Sequence, residues 1–217
     1  MTVIGIDFGN KNICISKINK GKVEMISNLA GKKNILNMIS FNNIRLYDSD
    51  AMNVITQNIN SNLIDIHNLI QLKTDLNVLQ PLCCYEQPYY QIEFMDQIYK
   101  IRKEHIILMV FTYIKKLAGE FAECVISIPS FMGNYEKNIF LNASKIANIN
   151  ILGFVNDPLA AAINYQFFNY KNDQLEKQSE NEEETKNESE FEKGKKYIFL
   201  NIGENHTSVS IINMQKN

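Results

Sequence analysis

The N-terminal part of the chain alternates short apolar runs with polar turns, which is the pattern of consecutive β-strands. Apolar residues recur at strand spacing in 2–8 and 12–18, and a third run follows at 22–28. A further short strand is predicted at 37–41. Asp7 stands at the end of the first apolar run, where a carboxylate is costly to bury. It is therefore either a solvated turn residue or a residue with a function.

The middle of the chain changes to helical spacing, interrupted by one hairpin. Apolar residues at intervals of three and four predict a helix over 48–72, which Ser49 or Asp50 would cap. Alternation predicts a hairpin over 89–101, and a long apolar face predicts a second helix over 103–122.

From residue 123 onwards strands and helices alternate, which is typical of a parallel α/β sheet. Strands are predicted in "ECVISIPS" and "NILGFV", and helices in "NYEKNIFLNASKIANI" and "DPLAAAINYQFFNY". The last helix would have Asp157 as its N-cap and Pro158 at its first position. Residues 171–196 are acidic and almost free of aliphatic side chains, which predicts a linker, and strands return in 197–214.

Composition excludes several classes of partner. The chain has 217 residues, a net charge of −2 and a pI near 6.0, so nothing favours nucleic acid or an anionic membrane. Its most apolar stretch, 106–114, is too short to span a bilayer. The spacing of the three histidines and four cysteines fits neither a zinc site nor a secreted disulfide framework. Reduced thiols favour a cytoplasmic location.

One motif occurs twice, once near each end of the chain. "IGIDFGNKNICIS" and "IFLNIGENHTSVS" align without a gap, which places Asp7 on Asn201 and Gly9 on Gly203. Each copy is a strand, a glycine-bearing polar turn and a second strand, although two hairpins can also resemble each other by chance.

Such a turn suits phosphate binding. A glycine lets the backbone approach a ligand closely and tolerates positive φ, and successive turn N–H groups form a concavity that binds anions. A carboxylate such as Asp7 can hold Mg²⁺ through water. Two facing hairpins could clamp the phosphates of a nucleotide between their turns. The candidate binding residues are Gly9, Asn10, Lys11 and Asn12 in the first turn, and Gly203, Glu204, Asn205 and His206 in the second.

These motifs resemble those of the 70-kDa heat-shock protein (chaperone) family, most closely its large 110-kDa branch. The likeness rests on "IGIDFGN", "VISIPSF" at 125–131, "ILGFVNDPLAAAINY" at 151–165 and "FLNIGENHTSVSI", which come in the family's order. It implies an actin-like ATPase (ribonuclease H-like) lobe of the α/β class, with a mixed sheet flanked by helices and an inserted helix–hairpin subdomain.

The resemblance also implies a domain organisation. Residues 1–170 would form the first lobe of a nucleotide-binding domain, with the insert at about 36–105. Residues 171–196 would be an acidic disordered linker, and 197–217 the first hairpin of a truncated second lobe.

Several positions depart from the family's pattern, so whether the chain is an enzyme stays open. By the resemblance, His67 occupies the place of a catalytic lysine, Asn201 that of an aspartate and Asp157 that of a glutamate. A neutral imidazole or an amide cannot supply the lost charge, so little or no ATP hydrolysis is expected. His67 could equally be a solvated helix residue, Asp157 only an N-cap, and His206 only part of a hairpin tip.

The function that the resemblance implies is binding of ATP or ADP with Mg²⁺, without effective hydrolysis. The chain would then act as a cochaperone or nucleotide-exchange protein in protein folding and the stress response. Its partners would be a 70-kDa chaperone and, through further C-terminal domains, unfolded clients. The alternatives are an ATP-hydrolysing chaperone when full length, or a sugar-kinase-like or actin-like member of the same superfamily.

Overall fold

A computed structural model describes residues 3–57, 59–71, 84–86, 89–167 and 195–214. The chain divides into two compact units, Met1–Phe154 and Val155–Asn217, and each is described by itself. None of the helices within the described ranges is long and apolar enough to cross a membrane.

The elements of the first unit alternate in type along the chain. In chain order they are β1 (Val3–Phe8), β2 (Asn12–Asn19), β3 (Lys22–Ile26), β4 (Ile35–Leu36), β5 (Ile39–Phe41), β6 (Arg45–Tyr47), α1 (Asp48–Val54), a 3₁₀ turn (Ile59–Ser61), β7 (Asn62–Leu63), α2 (Ile66–Ile70), β8 (Cys84–Glu86), β9 (Tyr89–Phe94), β10 (Gln97–Ile101), α3 (Lys103–Ala118), β11 (Glu123–Ile128), α4 (Asn134–Ile146) and β12 (Asn150–Asn156).

A mixed six-stranded sheet is the centre of this unit. Its strand order is β12-β11-β1-β2-β3, and β4 adds to β2. β1 is parallel to β11 and antiparallel to β2, and β2 is antiparallel to β3. Smaller sheets combine β10 with β9 and β8, and β6 with β5 and β7. The predicted N-terminal strands, the hairpin over 89–101 and the α/β class with a mixed sheet are confirmed.

One face of the sheet carries the core. Ile6 and Phe8 of β1 and Ile15 of β2 are fully buried, because alternate residues of a strand point to the same face. Phe111 of α3 and Phe140 of α4 belong to the same core, and the ring of Phe140 lies edge-on to that of Phe8 at 4.8 Å. Burial of each such side chain stabilises the unit by roughly 1.5–3 kcal/mol. Helices therefore flank the sheet, as predicted.

The predicted helix over 48–72 is wrong, because polar side chains in it bind the backbone. Asn62 Nδ2 donates to the carbonyl of Ile55 at 2.8 Å and to that of Ile59 at 3.4 Å. Asp65 lies at φ 52°, a left-handed conformation that helices do not continue through. The segment therefore divides into α1, the 3₁₀ turn, β7 and α2.

The predicted caps of that helix are also wrong. α1 begins at Asp48, its N-cap position is Tyr47, and no side chain caps it. Asp48 lies at φ 55° and its carboxylate accepts from the N–H of Leu36 at 2.8 Å and from Asn28 Nδ2 at 2.6 Å. The buried carboxylate therefore ties three segments together instead of closing the end of its own helix.

The helix predicted over 103–122 is confirmed as α3, which ends at Gly119 with φ 77°. This positive φ, together with an extended ψ of 178°, suits glycine and stops the helix. The buried side chains recur at three- and four-residue intervals, as at Ile107, Phe111 and Ile114.

The second unit contains a helix, α5 (residues 157–167), and an antiparallel pair formed by β13 (Lys195–Ile202) and β14 (Thr207–Met214). The ring of Tyr165 lies 5.2 Å from that of Tyr197 and 6.3 Å from that of Phe199. Residues 171–194 of the predicted linker lie outside the described residues, but β13 begins two residues before the predicted linker ends.

Candidate functional site

The two copies of the repeated motif form hairpins of the same register. In the first, Phe8 pairs with Ile13, and in the second, Ile202 pairs with Thr207. Each hairpin therefore has a bend of four residues, which we name the first bend (9–12) and the second bend (203–206). The repeat inferred from the sequence is confirmed in the backbone pairing of both copies.

Each bend has a glycine at its first position, where the chain approaches itself closely, most of all in the first bend. A Cβ on Gly9 would lie 2.5 Å from the carbonyl oxygen of Asn12, and one on Gly203 would lie 3.1 Å from that of His206. Neither glycine has a positive φ. The physical reason for these glycines is therefore steric, and the positive φ offered as a reason from the sequence is wrong.

Asp7 lies at the end of β1, beside the first bend. It is exposed, and its Oδ1 accepts a hydrogen bond from Ser127 Oγ at 2.6 Å. Parallel pairing of β1 with β11 places the two residues opposite each other. On the other side, Asp7 pairs with Cys14 of β2. Burial raises the pKa of the Cys14 thiol, and the negative charge of Asp7 raises it further. The carboxylate is thus oriented by a hydroxyl that sequence reasoning did not single out.

Asn10 of the first bend is buried, with 7% of its surface exposed. Its Nδ2 donates to Asp65 Oδ1 at 3.0 Å, and its Oδ1 accepts from the backbone N–H of His67 at 3.3 Å. The side chain is therefore bound to the turn that opens α2.

His67 is buried at 2% exposure, so the alternative that it is a solvated helix residue is wrong. Its Nε2 donates to the backbone carbonyl of Phe8 at 2.8 Å. Its ring stacks on that of Phe8 with centroids 5.7 Å apart. Its imidazole therefore contacts the strand end that leads into the first bend, and its place in a catalytic site stays a prediction.

Asn37 contacts the first bend from another segment, and sequence reasoning missed it. Its Nδ2 donates to the carbonyl of Gly9 at 2.8 Å, and its backbone N–H donates to that of Lys11 at 2.8 Å. The side chain is 4% exposed. The pattern around it predicted only a short strand and carried no signal for this role.

The remaining predicted site residues belong to the second unit. Asn201 is half-buried on β13 and pairs with Ser208. In the second bend, the N–H of Gly203 donates to the carbonyl of His206 at 2.9 Å, and residues 203–205 are exposed. Asp157 is half-buried and is the first residue of α5, which begins one residue earlier than predicted.

The chemistry of the first bend fits a hydrated Mg²⁺ ion with its phosphates. Within the described ranges, no group of three or more His, Cys, Asp or Glu side chains could hold a metal ion. Mg²⁺ keeps several waters and is commonly held by one or two carboxylates together with substrate phosphates. Asp7, exposed beside a glycine bend, is a carboxylate of this kind.

Comparison with known proteins identifies relatives along nearly the whole chain. A family model described as "Hsp70 protein" matches residues 3–217. "Heat shock protein 88" of Dictyostelium discoideum is 26% identical over 230 residues, which cover 99% of this chain and 28% of the relative. The chain therefore spans about a quarter of that relative's length. The predicted family, its large branch and the actin-like fold class are confirmed by these matches.

Proposed function

Because the chain belongs to the Hsp70 protein family, we propose that it binds ATP or ADP with Mg²⁺ through its two glycine bends. The observation that carries this proposal is the shared register of the hairpins, in which a glycine opens each four-residue bend. Support for the metal comes from Asp7, whose carboxylate stands exposed beside the first bend.

In this proposal the backbone N–H groups of the bends bind the phosphates, as in other concave turns that hold anions. Asp7 holds water molecules of the Mg²⁺ ion, with Ser127 orienting its carboxylate. The bound Mg²⁺ supplies positive charge to the phosphate oxygens. Glu204 of the second bend adds negative charge, which weakens phosphate binding on that side.

We also propose that hydrolysis is weak. His67 stands where the family resemblance places a lysine, and its Nε2 donates a hydrogen bond to the carbonyl of Phe8. Asn201, where the resemblance places an aspartate, is an amide that cannot accept a proton from water. Loss of a single transition-state contact typically lowers the rate by about 10²–10³-fold.

Such a protein would act in protein folding as a cochaperone, in the cytoplasm and under stress, on a 70-kDa chaperone or on unfolded clients. This role rests on the family match and on the binding without fast turnover that we propose above. The family match also favours a chaperone over the sugar-kinase-like and actin-like alternatives.

Calorimetry and a phosphate-release assay test the two parts of the proposal. We expect Mg²⁺–ATP to bind the chain, and Asp7→Ala to weaken binding by about tenfold, the effect of losing one charged contact. We expect no phosphate release above background. Equal binding by Asp7→Ala would contradict the role of the carboxylate, and steady turnover by the wild-type chain would contradict the loss of hydrolysis.

A further inference from the structure

We propose that Asn10, Asn37, Asp65 and His67 are positioning residues that hold the first bend ready for phosphate. They would do so by occupying its carbonyl groups and anchoring its buried side chain. We name these four residues the bend clamp. The inference rests on the proposed function, because it assigns these side chains to phosphate binding by the first bend.

The carbonyl groups around the first bend are taken by donors from other segments. The carbonyl of Phe8 accepts from His67 Nε2, and those of Gly9 and Lys11 accept from Asn37. A carbonyl oxygen carries partial negative charge and repels phosphate, whereas an N–H group attracts it. With these three carbonyl groups held in hydrogen bonds, their repulsion of an anion at the bend is reduced.

A side-chain anchor adds to these backbone contacts. Asn10 donates to the carboxylate of Asp65 at 3.0 Å and accepts from the N–H of His67 at 3.3 Å. Asp65 lies at φ 52°, which Asp tolerates better than most residues, and the turn that it forms opens α2. The bend is thereby joined to a segment more than fifty residues further along the chain.

His67 then acts through its position, since its ring holds the carbonyl of Phe8 and stacks on the Phe8 ring. The position that the family resemblance gives to a catalytic lysine has, in this chain, become part of the support of the bend.

Variants of Asp65 separate the anchor from the backbone conformation. Asp65→Gly removes the carboxylate and keeps a residue that accepts positive φ, and Asp65→Asn keeps an oxygen that can accept from Asn10. The matched control is Asp96→Gly in the turn between β9 and β10, where φ is also positive at 57°. Should Asp65→Gly unfold the chain, Asn10→Ala removes the other partner of the same bond.

The readout is binding of Mg²⁺–ATP and of adenosine, followed by NMR on the 217-residue chain. We expect Asp65→Gly to weaken Mg²⁺–ATP binding by about tenfold, because a half-buried hydrogen bond to a carboxylate is lost. The dissociation constants of Asp65→Asn and Asp96→Gly for Mg²⁺–ATP stay within about threefold of the wild-type value, and adenosine binding is the same in all variants. Unchanged Mg²⁺–ATP binding by Asp65→Gly, or an equal loss for adenosine, overturns the clamp.

A second measurement tests the bend clamp without any ligand. The ¹⁵N order parameters of residues 9–12 should fall from about 0.85 to below about 0.6 in Asp65→Gly, and stay high in Asp96→Gly. If the wild-type chain binds no Mg²⁺–ATP, the proposed function fails and these order parameters alone decide on the clamp. Order parameters that do not change in Asp65→Gly overturn it.

Discussion

The two hairpins have the same register but different surroundings. β1 and β2 lie inside a six-stranded sheet, and Phe8, the residue before the first bend, is 0% exposed. β13 and β14 pair only with each other in the described part of the chain, and Ile202, the equivalent residue, is 74% exposed. The local sequence therefore sets the length of a bend, whereas neighbouring elements decide how firmly it is held.

The bends themselves also differ in their hydrogen bonds and in their exposure. The first bend receives hydrogen bonds from Asn37, and its Asn10 side chain is bound to Asp65. The second bend is closed by the bond from Gly203 to His206, and its first three residues are exposed. One copy of the repeated motif thus leads out of a buried core, while the bend of the other copy is largely exposed.

The largest expected effect comes from truncating the equivalent strand residues. Phe8→Ala should destabilise the chain by about 3–5 kcal/mol, because it leaves a cavity beneath Phe140, whereas Ile202→Ala should change stability by less than about 0.5 kcal/mol. Urea denaturation followed by circular dichroism measures both. Similar losses from the two substitutions would mean that the hairpins are held equally.

A smaller difference is expected between the two bend glycines. Gly9→Ala forces a Cβ to within 2.5 Å of a backbone oxygen, and Gly203→Ala only to within 3.1 Å. We expect losses of about 2–3 kcal/mol for the first and below about 1 kcal/mol for the second. Urea denaturation of the two variants measures both losses of stability, and a larger loss for Gly203→Ala would contradict the steric argument.

The smallest expected effect concerns the thiol of Cys14. Burial and then the carboxylate of Asp7 raise its pKa above the ordinary value of 9.0. Asp7→Asn removes the second cause, lowers the pKa and increases the thiolate fraction at pH 8, so alkylation of Cys14 should be about two- to threefold faster.

A cysteine in the second hairpin supplies the matched comparison. Ser208 occupies the equivalent position and faces Asn201, which has no charge. Ser208→Cys should therefore react faster than Cys14 in the wild-type chain, and its rate should not depend on Asp7. Peptide mapping by mass spectrometry measures each site separately, and an unchanged rate at Cys14 in Asp7→Asn would show that the carboxylate does not act on the thiol.

Sequence reasoning succeeded where the determinants are local. Strand alternation around Ile6 and Ile15, and the helical spacing that ends at Gly119, depend on neighbours a few residues away. The helix over 48–72 failed because the Asn62 side chain binds backbone carbonyl groups and Asp65 adopts a left-handed conformation, and apolar spacing records neither.

Contacts between distant segments could not be predicted from the sequence. Ser127 forms a hydrogen bond with Asp7 although the two are 120 residues apart in sequence, and Asn37 forms one with Gly9 at a separation of 28. No spacing rule connects such pairs before the sheet order is known. That both bends bind phosphate stays a prediction.

An NMR titration of the chain with Mg²⁺–ATP tests the central claim most directly. Binding by both bends predicts that the amide signals of residues 9–12 and 203–206 shift together, with one dissociation constant, and that Asp7→Ala weakens both responses. Shifts confined to one bend, or to neither, would contradict nucleotide binding by both bends.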